Sequence, residues 1–420
     1  MRLPVGFKDM SDKPRLLMLY TRFPFPPMFG DRMHVYHYAK ELGKDYDVDL
    51  LCLASTEQRE QVDALKSVFR QVFCFPLDKK QLLTQTLLGV AKSNLKLPAQ
   101  VAGYRNSEVK IWLEQNAKSY DLLYFHHVRS VEWYEGVSVP AILDYHDAIS
   151  LNYKGVLGEV SGPWRLFYQW EQPRLLDYEL SCLDRFSHSF ICSPADRDYL
   201  LREYQERTDE NRSSSISVMP MGVREELVES KPCVQEEPWI VYLGKMNYLP
   251  NEDAVVYFAR DVFPLVQEQV GSEARFVIVG AQPSRRVQAL AEISGVTVTG
   301  FVDDPNEYLS KARLVVAPLR IGAGIQNKIL ESMALGKAVV ASSLAASGIE
   351  GAANGGHLLV ADGPHEITKA IVDLWDSKAL REQLGHQARE LIRSRYTWSK
   401  VGIQLRARIA DIFSPAEVRI

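Results

Sequence analysis

The residues with the most chemistry in their spacing are Gly322, Gly324, Lys328 and Glu331, within LVVAPLRIGAGIQNKILESMALGKAVVAS, which begins at Leu314. The two glycines precede an amphipathic run, Gln326 to Leu335, that Gly336 stops. A helix N-terminus carries unpaired N–H groups and the positive end of the helix dipole, so a glycine loop leading into it suits an anion such as phosphate. Lys328 falls in the first turn, where a cation is unfavourable unless negative charge is close. Glu331 lies three residues on, on the same face. Such a row would hold a phosphorylated ribose, with phosphate at the loop and sugar hydroxyls on Glu331. The competing expectation is a surface helix with a solvated Lys/Glu pair, worth ~0.3 kcal/mol.

Three further sets fit the same chemistry. Gly244-Lys245 follows the apolar run Ile240–Leu243, which places Lys245 to meet an anion. Gly30 sits in a loop after the strand-like Arg15–Thr21 and before a helix whose apolar face is Val35, Tyr38, Ala39 and Leu42, with Asp31 as its expected N-cap. LYFHHVR and LDYHDAIS end two strands in histidine, so His126, His127, Arg129, His146 and Asp147 are expected at one ligand-facing edge. Lone histidines are mostly structural; two strand ends of this kind give His146 or Asp147 a functional role. No HxxxH or HExxH spacing occurs, so zinc is not expected. Asp45, Asp47 and Asp49 are expected on the solvent side of a strand start, and Asp303-Asp304 to cap the helix containing Tyr308 and Leu309.

The elements that must position these groups follow an α/β rhythm. Short apolar runs recur at Arg15–Thr21, Val48–Ala54, Gln71–Phe75, Leu122–Phe125, Ala141–Tyr145, Ser189–Cys192 and Ile216–Met219. After a charged, proline-bearing stretch, Arg224–Pro238, they restart at Ile240–Leu243, Phe276–Val279, Val296–Thr299, Leu314–Ala317, Ala338–Ala341 and Leu358–Val360. Helical stretches between them predict two doubly wound halves with mostly parallel sheets. The 420 residues also exceed what one core supports. We expect domains over 1–225 and 226–395, and a last helix within 396–420 crossing back to the first domain. GxGxxG is missing from the first loop, which disfavours a nicotinamide dinucleotide fold.

A formal net charge of −4 gives no basic signature for nucleic acid. Five scattered cysteines, an odd number, suit a reducing compartment. No apolar run approaches the ~20 residues of a membrane span, and the first thirteen residues lack a signal peptide's apolar core. We expect a cytoplasmic protein. Residues 79–105 carry Lys79, Lys80, Lys92, Lys96 and Arg105 but no acid, beside Leu82, Leu83, Leu87, Leu88 and Val90. Such a segment either packs its leucines on the sheet or sits on an anionic membrane surface at the inner face. The aromatics of 152–180 (Tyr153, Trp164, Phe167, Tyr168, Trp170 and Tyr178) either pack helix on sheet or line an acceptor groove.

These stretches together resemble the retaining glycosyltransferases of family 4, with the GT-B fold. The resemblance rests on PLRIGAGIQNKILESMALGKAVVAS and, in order, on FPFPPMFGDRMHVYHYAKEL, DYHD, SPADRDYL, SVMPMGV, YLGKMNYLPNEDAVVYF, VTVTGFVDDPNEYLSKARLVVAPL and RYTWSKV. It looks closest to the branch that builds exopolysaccharide and lipid-linked glycans. It implies two Rossmann-like domains facing across a cleft, a nucleotide-sugar donor (a UDP-sugar, or GDP-mannose) on the second, and a glycan, lipid-linked or small-molecule acceptor on the first. By position it implies that Glu331 holds the donor ribose, that Gly322, Ala323, Gly324, Ile325 and Lys328 form the diphosphate element, that Gly244 and Lys245 meet the diphosphate, and that Phe301 and Val302 lie beside the base. Gly30 approaches the diphosphate from the opposite domain, and His146 lies near the transferred sugar. No metal or other cofactor is implied. The family pattern has a glutamate eight positions before the ribose-binding one; here that position is Ala323. The alternatives are a sugar-nucleotide epimerase of the same fold and a silent binding subunit.

Overall fold

The protein, as a computed structural model, is described over residues 13–27, 30–77, 79–158, 160–230 and 235–413, with backbone alone for 79–81. The first twelve residues, Cys233 and the chain after 413 lie outside these. The first half contains β1 (Arg15–Tyr20), β2 (Asp47–Ala54), β3 (Val72–Pro76), β4 (Leu122–His126), β5 (Ala141–Asp144), β6 (His188–Ile191) and β7 (Ile216–Val218). They form one parallel sheet in the order β3-β2-β1-β4-β5-β6-β7. The second half contains β8 (Trp239–Leu243), β9 (Arg275–Val279), β10 (Val296–Gly300), β11 (Leu314–Ala317), β12 (Val339–Ala341) and β13 (Leu359–Val360). These are parallel in the order β10-β9-β8-β11-β12-β13. Two doubly wound α/β units follow, as the alternation of runs implied.

Both sheets are covered on both faces, which explains why the central strands read as unbroken apolar runs rather than alternating ones. Along β1, Leu16, Met18 and Tyr20 pack with Val35, Tyr38 and Leu42 of the helix Gly30–Leu42. Leu17 and Leu19 point to the other face and pack with Val109, Leu113, Leu175 and Leu183. Successive side chains of a strand alternate faces, so one run feeds two helical layers.

The last helix, Trp398–Ile412, lies against Gly30–Leu42 of the first half. Arg406 bridges Glu41 at 2.7 Å and Asp45 at 3.0 Å, and the Trp398 ring stacks on His37 at 4.4 Å. A Cβ on Gly402 would come within 2.2 Å of the Glu41 carboxylate, so this close approach requires glycine. Val223 N–H donates to the Tyr396 carbonyl at 2.7 Å, and the Val223 carbonyl accepts from Trp398 N–H at 3.1 Å. The two crossings between halves therefore run side by side.

Several local expectations change. Asp31 lies inside the first turn rather than at the cap and pairs with Arg22 at 2.9 Å. Gly30 opens the helix at φ +47°, a left-handed conformation that favours glycine. Asp49 is fully buried, not solvent-facing: Arg70 grips it at 2.6 and 2.9 Å and the Tyr120 hydroxyl donates at 2.9 Å. A charge placed there needs this full set of partners. The stretch 224–238 includes a short helix, Glu225–Glu229, and its residues 231–234 lie outside the described ones. Asp304 does cap its helix, accepting from Asn306 N–H at 2.9 Å. The leucines of the helix Lys79–Lys92 do not pack on the sheet: Leu83, Leu87 and Leu88 are all more than half exposed.

Candidate functional site

In an open parallel sheet, ligands sit beyond the strand C-termini where the strand order reverses. That point lies between β1 and β4 in the first sheet and between β8 and β11 in the second. The sequence-predicted residues fall there. Gly30 follows β1, and His126 and His127 end β4. Gly244 and Lys245 follow β8, and the loop from Pro318 to Gln326 follows β11.

The β11 loop turns on two glycines, Gly322 at φ +144° and Gly324 at φ +72°. It is also packed tightly from behind, because a Cβ on Gly348 would stand 2.8 Å from the Gly324 carbonyl. The loop feeds the helix Asn327–Ala334, whose N-cap residue Gln326 makes no side-chain capping bond. The first-turn amides are thus left for an anion. Ile325 is partly buried and packs against the core, fixing the loop's exit.

Lys328 is buried under this helix. Its ammonium donates to the Tyr242 hydroxyl at 2.8 Å and to Asn251 Oδ1 at 2.6 Å, and lies 4.4 Å from the Tyr242 ring centre. Asn251 Nδ2 in turn donates to the Lys245 carbonyl at 3.0 Å, and a Cβ on Gly244 would sit 2.8 Å from that amide. One asparagine therefore ties the two loops of the second half together and orients Lys328. With no carboxylate beside it, burial pushes Lys328 down to about 7. Lys245 is exposed and its ammonium has no partner among the described residues. Glu331 is half-buried and its carboxylate also lacks a hydrogen-bond partner there; burial pushes it up to about 7. Phe301 is largely exposed and Val302 partly buried at the end of the neighbouring β10.

From the first half, the chain after β5 faces the glycine loop. A Cβ on Gly324 would touch that of Asp147 at 3.2 Å, and one on Gly155 would touch Ile321 at 3.2 Å. Asn152 reaches the Tyr248 hydroxyl at 2.9 Å. Asp196 accepts the Gly324 N–H at 2.8 Å. A cavity between the halves is lined by Leu151, Ala195, Asp196, Gly322, Ala323 and Gly324.

His146 lies behind this edge at φ +68°, with its N–H donated to Asp144 Oδ1 at 2.9 Å. The other Asp144 oxygen receives His34 Nε2 at 2.7 Å, Tyr124 Oη at 2.8 Å and His126 Nδ1 at 3.3 Å. Burial would raise Asp144; His34 and His126 outweigh it and hold the carboxyl well below its usual range. Cys192 Sγ lies 3.5 Å from His146 Nδ1. His34, His146 and Cys192 stand close enough to share one ion, as do His34, His126 and Asp144. Sequence spacing gave no sign of this set, because its members come from β4, β5, the end of β6 and the first helix. Arg129 turns aside to Gln100 at 2.8 Å and does not join it.

Asp196, Asp144, His34 and Cys192 were not among the predicted site residues. Asp196 had a signal: it sits three residues after Ser193, the N-cap of the helix Pro194–Thr208, at a strand C-terminus.

Residues 237–377 match the family described as Glycosyl transferases group 1. No curated protein sequence matches significantly. Among solved structures, the chain is similar to TarM from S. aureus, with a TM-score of 0.69, 12% identity, and 97% of this chain and 100% of that one covered. It is similar to HepE from Anabaena in complex with UDP, with a TM-score of 0.67, 14% identity and coverage of 94% and 100%. It is also similar to sucrose-phosphate synthase from Thermosynechococcus elongatus, with a TM-score of 0.65, 16% identity and coverage of 95% and 99%. The second half thus carries a group 1 glycosyltransferase domain, and the chain as a whole has the GT-B fold of glycosyltransferases.

Proposed function

We propose that the protein is a retaining family 4 hexosyltransferase that moves a sugar from a nucleoside-diphosphate sugar, UDP-linked in preference to GDP-mannose, to a glycan, lipid-linked or small-molecule acceptor. It belongs in the exopolysaccharide and lipid-linked glycan branch and works in the cytoplasm at the inner face of the membrane. The observation that carries the reading is the uncapped helix behind the Gly322–Gly324 loop, with Lys328 beneath it and, one turn on, a Glu331 carboxylate with no hydrogen-bond partner among the described residues.

Negative charge grows on the diphosphate as the sugar departs. Fixed donors aimed at that charge are the main resource such a site has. The loop amides, the helix N-terminus, Lys245 and Lys328 supply them in this reading, with no metal needed. Glu331 holds the ribose, Phe301 and Val302 flank the base, and Gly30 closes on the diphosphate from the first half. His146, held by Asp144, orients the transferred sugar. The departing phosphate takes the acceptor's proton. HepE was solved with UDP and with UDP-glucose, which favours uridine here.

One observation favours the epimerase reading: Asp196 and Asp147 bring two carboxylates to the glycine loop, where acid/base work on a bound sugar would need them. The test is a panel of sugar nucleotides incubated with glycan and lipid-linked acceptors. Nucleoside diphosphate release coupled to an acceptor product of unchanged anomeric configuration by NMR supports transfer. An inverted product refutes retention, and an epimerised sugar nucleotide formed without acceptor refutes transfer.

A further inference from the structure

The helix Lys79–Lys92 wears its amphipathicity inside out. Leu83, Leu87 and Leu88 are 65%, 66% and 53% exposed, and Ala91 and Lys92 extend the same outward face. The inward face is made of Leu82, Thr86, Gly89 and Val90. A Cβ on Gly89 would meet that of Ala102 at 3.0 Å, and one on Gly103 would meet Thr86 Oγ1 at 2.5 Å. These contacts with the helix Ala99–Ala102 fix the rotation, so Leu83, Leu87 and Leu88 are turned away from the core. Leu95, 52% exposed, and Lys96 continue the patch beyond the helix.

A second element prolongs it. The helix Gly162–Arg185 is tied to this segment by Glu171, which accepts the Ala99 and Gln100 N–H groups at 3.0 Å, and by Arg174, which donates to the Leu95 carbonyl at 2.6 Å. Trp170 packs against Val90, Leu97 and Val101. From it an aromatic row runs through Phe167 at 6.4 Å to Trp164, which is 66% exposed beside Leu166 at 68%. The aromatic-rich segment therefore leaves its first turn in solvent.

We propose that this face docks on an anionic lipid bilayer. Exposed leucines and a tryptophan, bordered by Lys92, Lys96 and Arg165, are what an interfacial helix needs: apolar side chains enter the headgroup boundary while ammonium groups stay at the phosphates. Residues 79–105 contain no acid although the chain as a whole carries −4, so the segment is locally basic, with Lys92 and Lys96 beside the exposed leucines. A second copy of the chain is a poorer occupant, since it would bring these lysines onto one another. The surface names where the proposed transferase works, but it is tested without sugar transfer, so its failure leaves the assignment of the cleft standing.

The full chain is sedimented with vesicles of phosphatidylcholine alone and of phosphatidylcholine mixed with phosphatidylglycerol. The expected result is binding to the mixed vesicles only, weakened by salt. Leu83→Asp with Leu87→Asp, and Lys92→Glu with Lys96→Glu, each lower it by about tenfold or more at an unchanged unfolding temperature. The proposal is overturned if wild type stays in the supernatant, or if correctly folded variants sediment like wild type. A wild-type dimer in light scattering that the leucine variant dissociates overturns it too and assigns the face to a second copy.

Discussion

The Asp196 carboxylate accepts the Gly324 N–H across the cleft at 2.8 Å. That amide belongs to the loop we assign to the donor diphosphate, so an anion of the protein stands where an anion of the ligand is to bind. Ser193 Oγ also donates to Asp196, while Asp196 Oδ1 is buried without a hydrogen-bond partner among the described residues. Burial pushes the carboxyl up to about 7, against the opposing pull of Ser193 and Gly324.

Replacing Asp196 by Asn keeps an acceptor for Gly324 and removes the charge. Since the folded pKa is raised, the stability linked to protonation is full below the ordinary carboxylate value of ~4 and is lost as pH rises through about 7. Asp196→Asn should therefore unfold at a higher temperature than wild type at pH 8, with the gap closing toward pH 4. UDP should bind a few-fold more tightly, because repulsion at the loop is gone. Calorimetry checks both; a loss of affinity above about tenfold would instead make Asp196 a residue that positions the donor.

Lys328, at about 7, is largely neutral in the free protein above that pH. A bound diphosphate favours the cation and raises its pKa. Binding at pH 8 should take up protons, and affinity should fall by at most about tenfold per pH unit above 7. Titrations in buffers of different ionisation enthalpy measure the uptake. Lys328→Met should lower it and weaken UDP, leaving the share taken up by Asp196 and Glu331; the same uptake in the variant would remove Lys328 from the site.

The Glu331 carboxylate has no hydrogen-bond partner among the described residues, so a ribose hydroxyl would find both of its oxygens open. A hydrogen bond to a charged group contributes ~1.5–3 kcal/mol, so Glu331→Gln should weaken UDP by about 10–100-fold. Wild type should discriminate UDP from its 2′-deoxy or 3′-deoxy analogue, and the variant should not. Equal preference in wild type would sink the ribose role.

Much of the architecture is legible because parallel strands covered on both faces must be continuously apolar. Thus every predicted strand, from Arg15–Thr21 to Leu358–Val360, appears within about two residues at each end. The loops at β8 and β11 are legible for another reason: glycine, lysine and glutamate types are chemically specific. Tertiary facts are not. Asp49 reads as a solvent-side acid because Arg70 and Tyr120 arrive from elsewhere in the chain. Leu83, Leu87 and Leu88 read either as sheet-packed or as membrane-facing because periodicity reports that a face is apolar, not which way the helix is turned; Gly89 and Gly103 decide that. Asp196 meets Gly324 only when the two halves come together.

The histidine cluster poses the sharpest remaining choice. Cys192, His34, His126, His146 and Asp144 are a donor set that zinc or another soft cation could use. The same atoms also satisfy each other: Asp144 receives two imidazoles, one phenol and one amide, and His34 Nδ1 lies 2.8 Å from Met221 Sδ. Burial pushes His34 down to about 4, and a neutral His34 donates to Asp144 without an ion. In the proton-only arrangement, dialysis against a chelator leaves the unfolding temperature and sugar transfer unchanged. Asp144→Ala strips four donors of their acceptor and should destabilise by ~3–5 kcal/mol, and it should lower kcat more than it raises KM because the left-handed backbone at His146 loses its anchor. A drop in unfolding temperature on chelation, restored by zinc and absent in Cys192→Ser, would reverse the choice and make the cluster a metal centre.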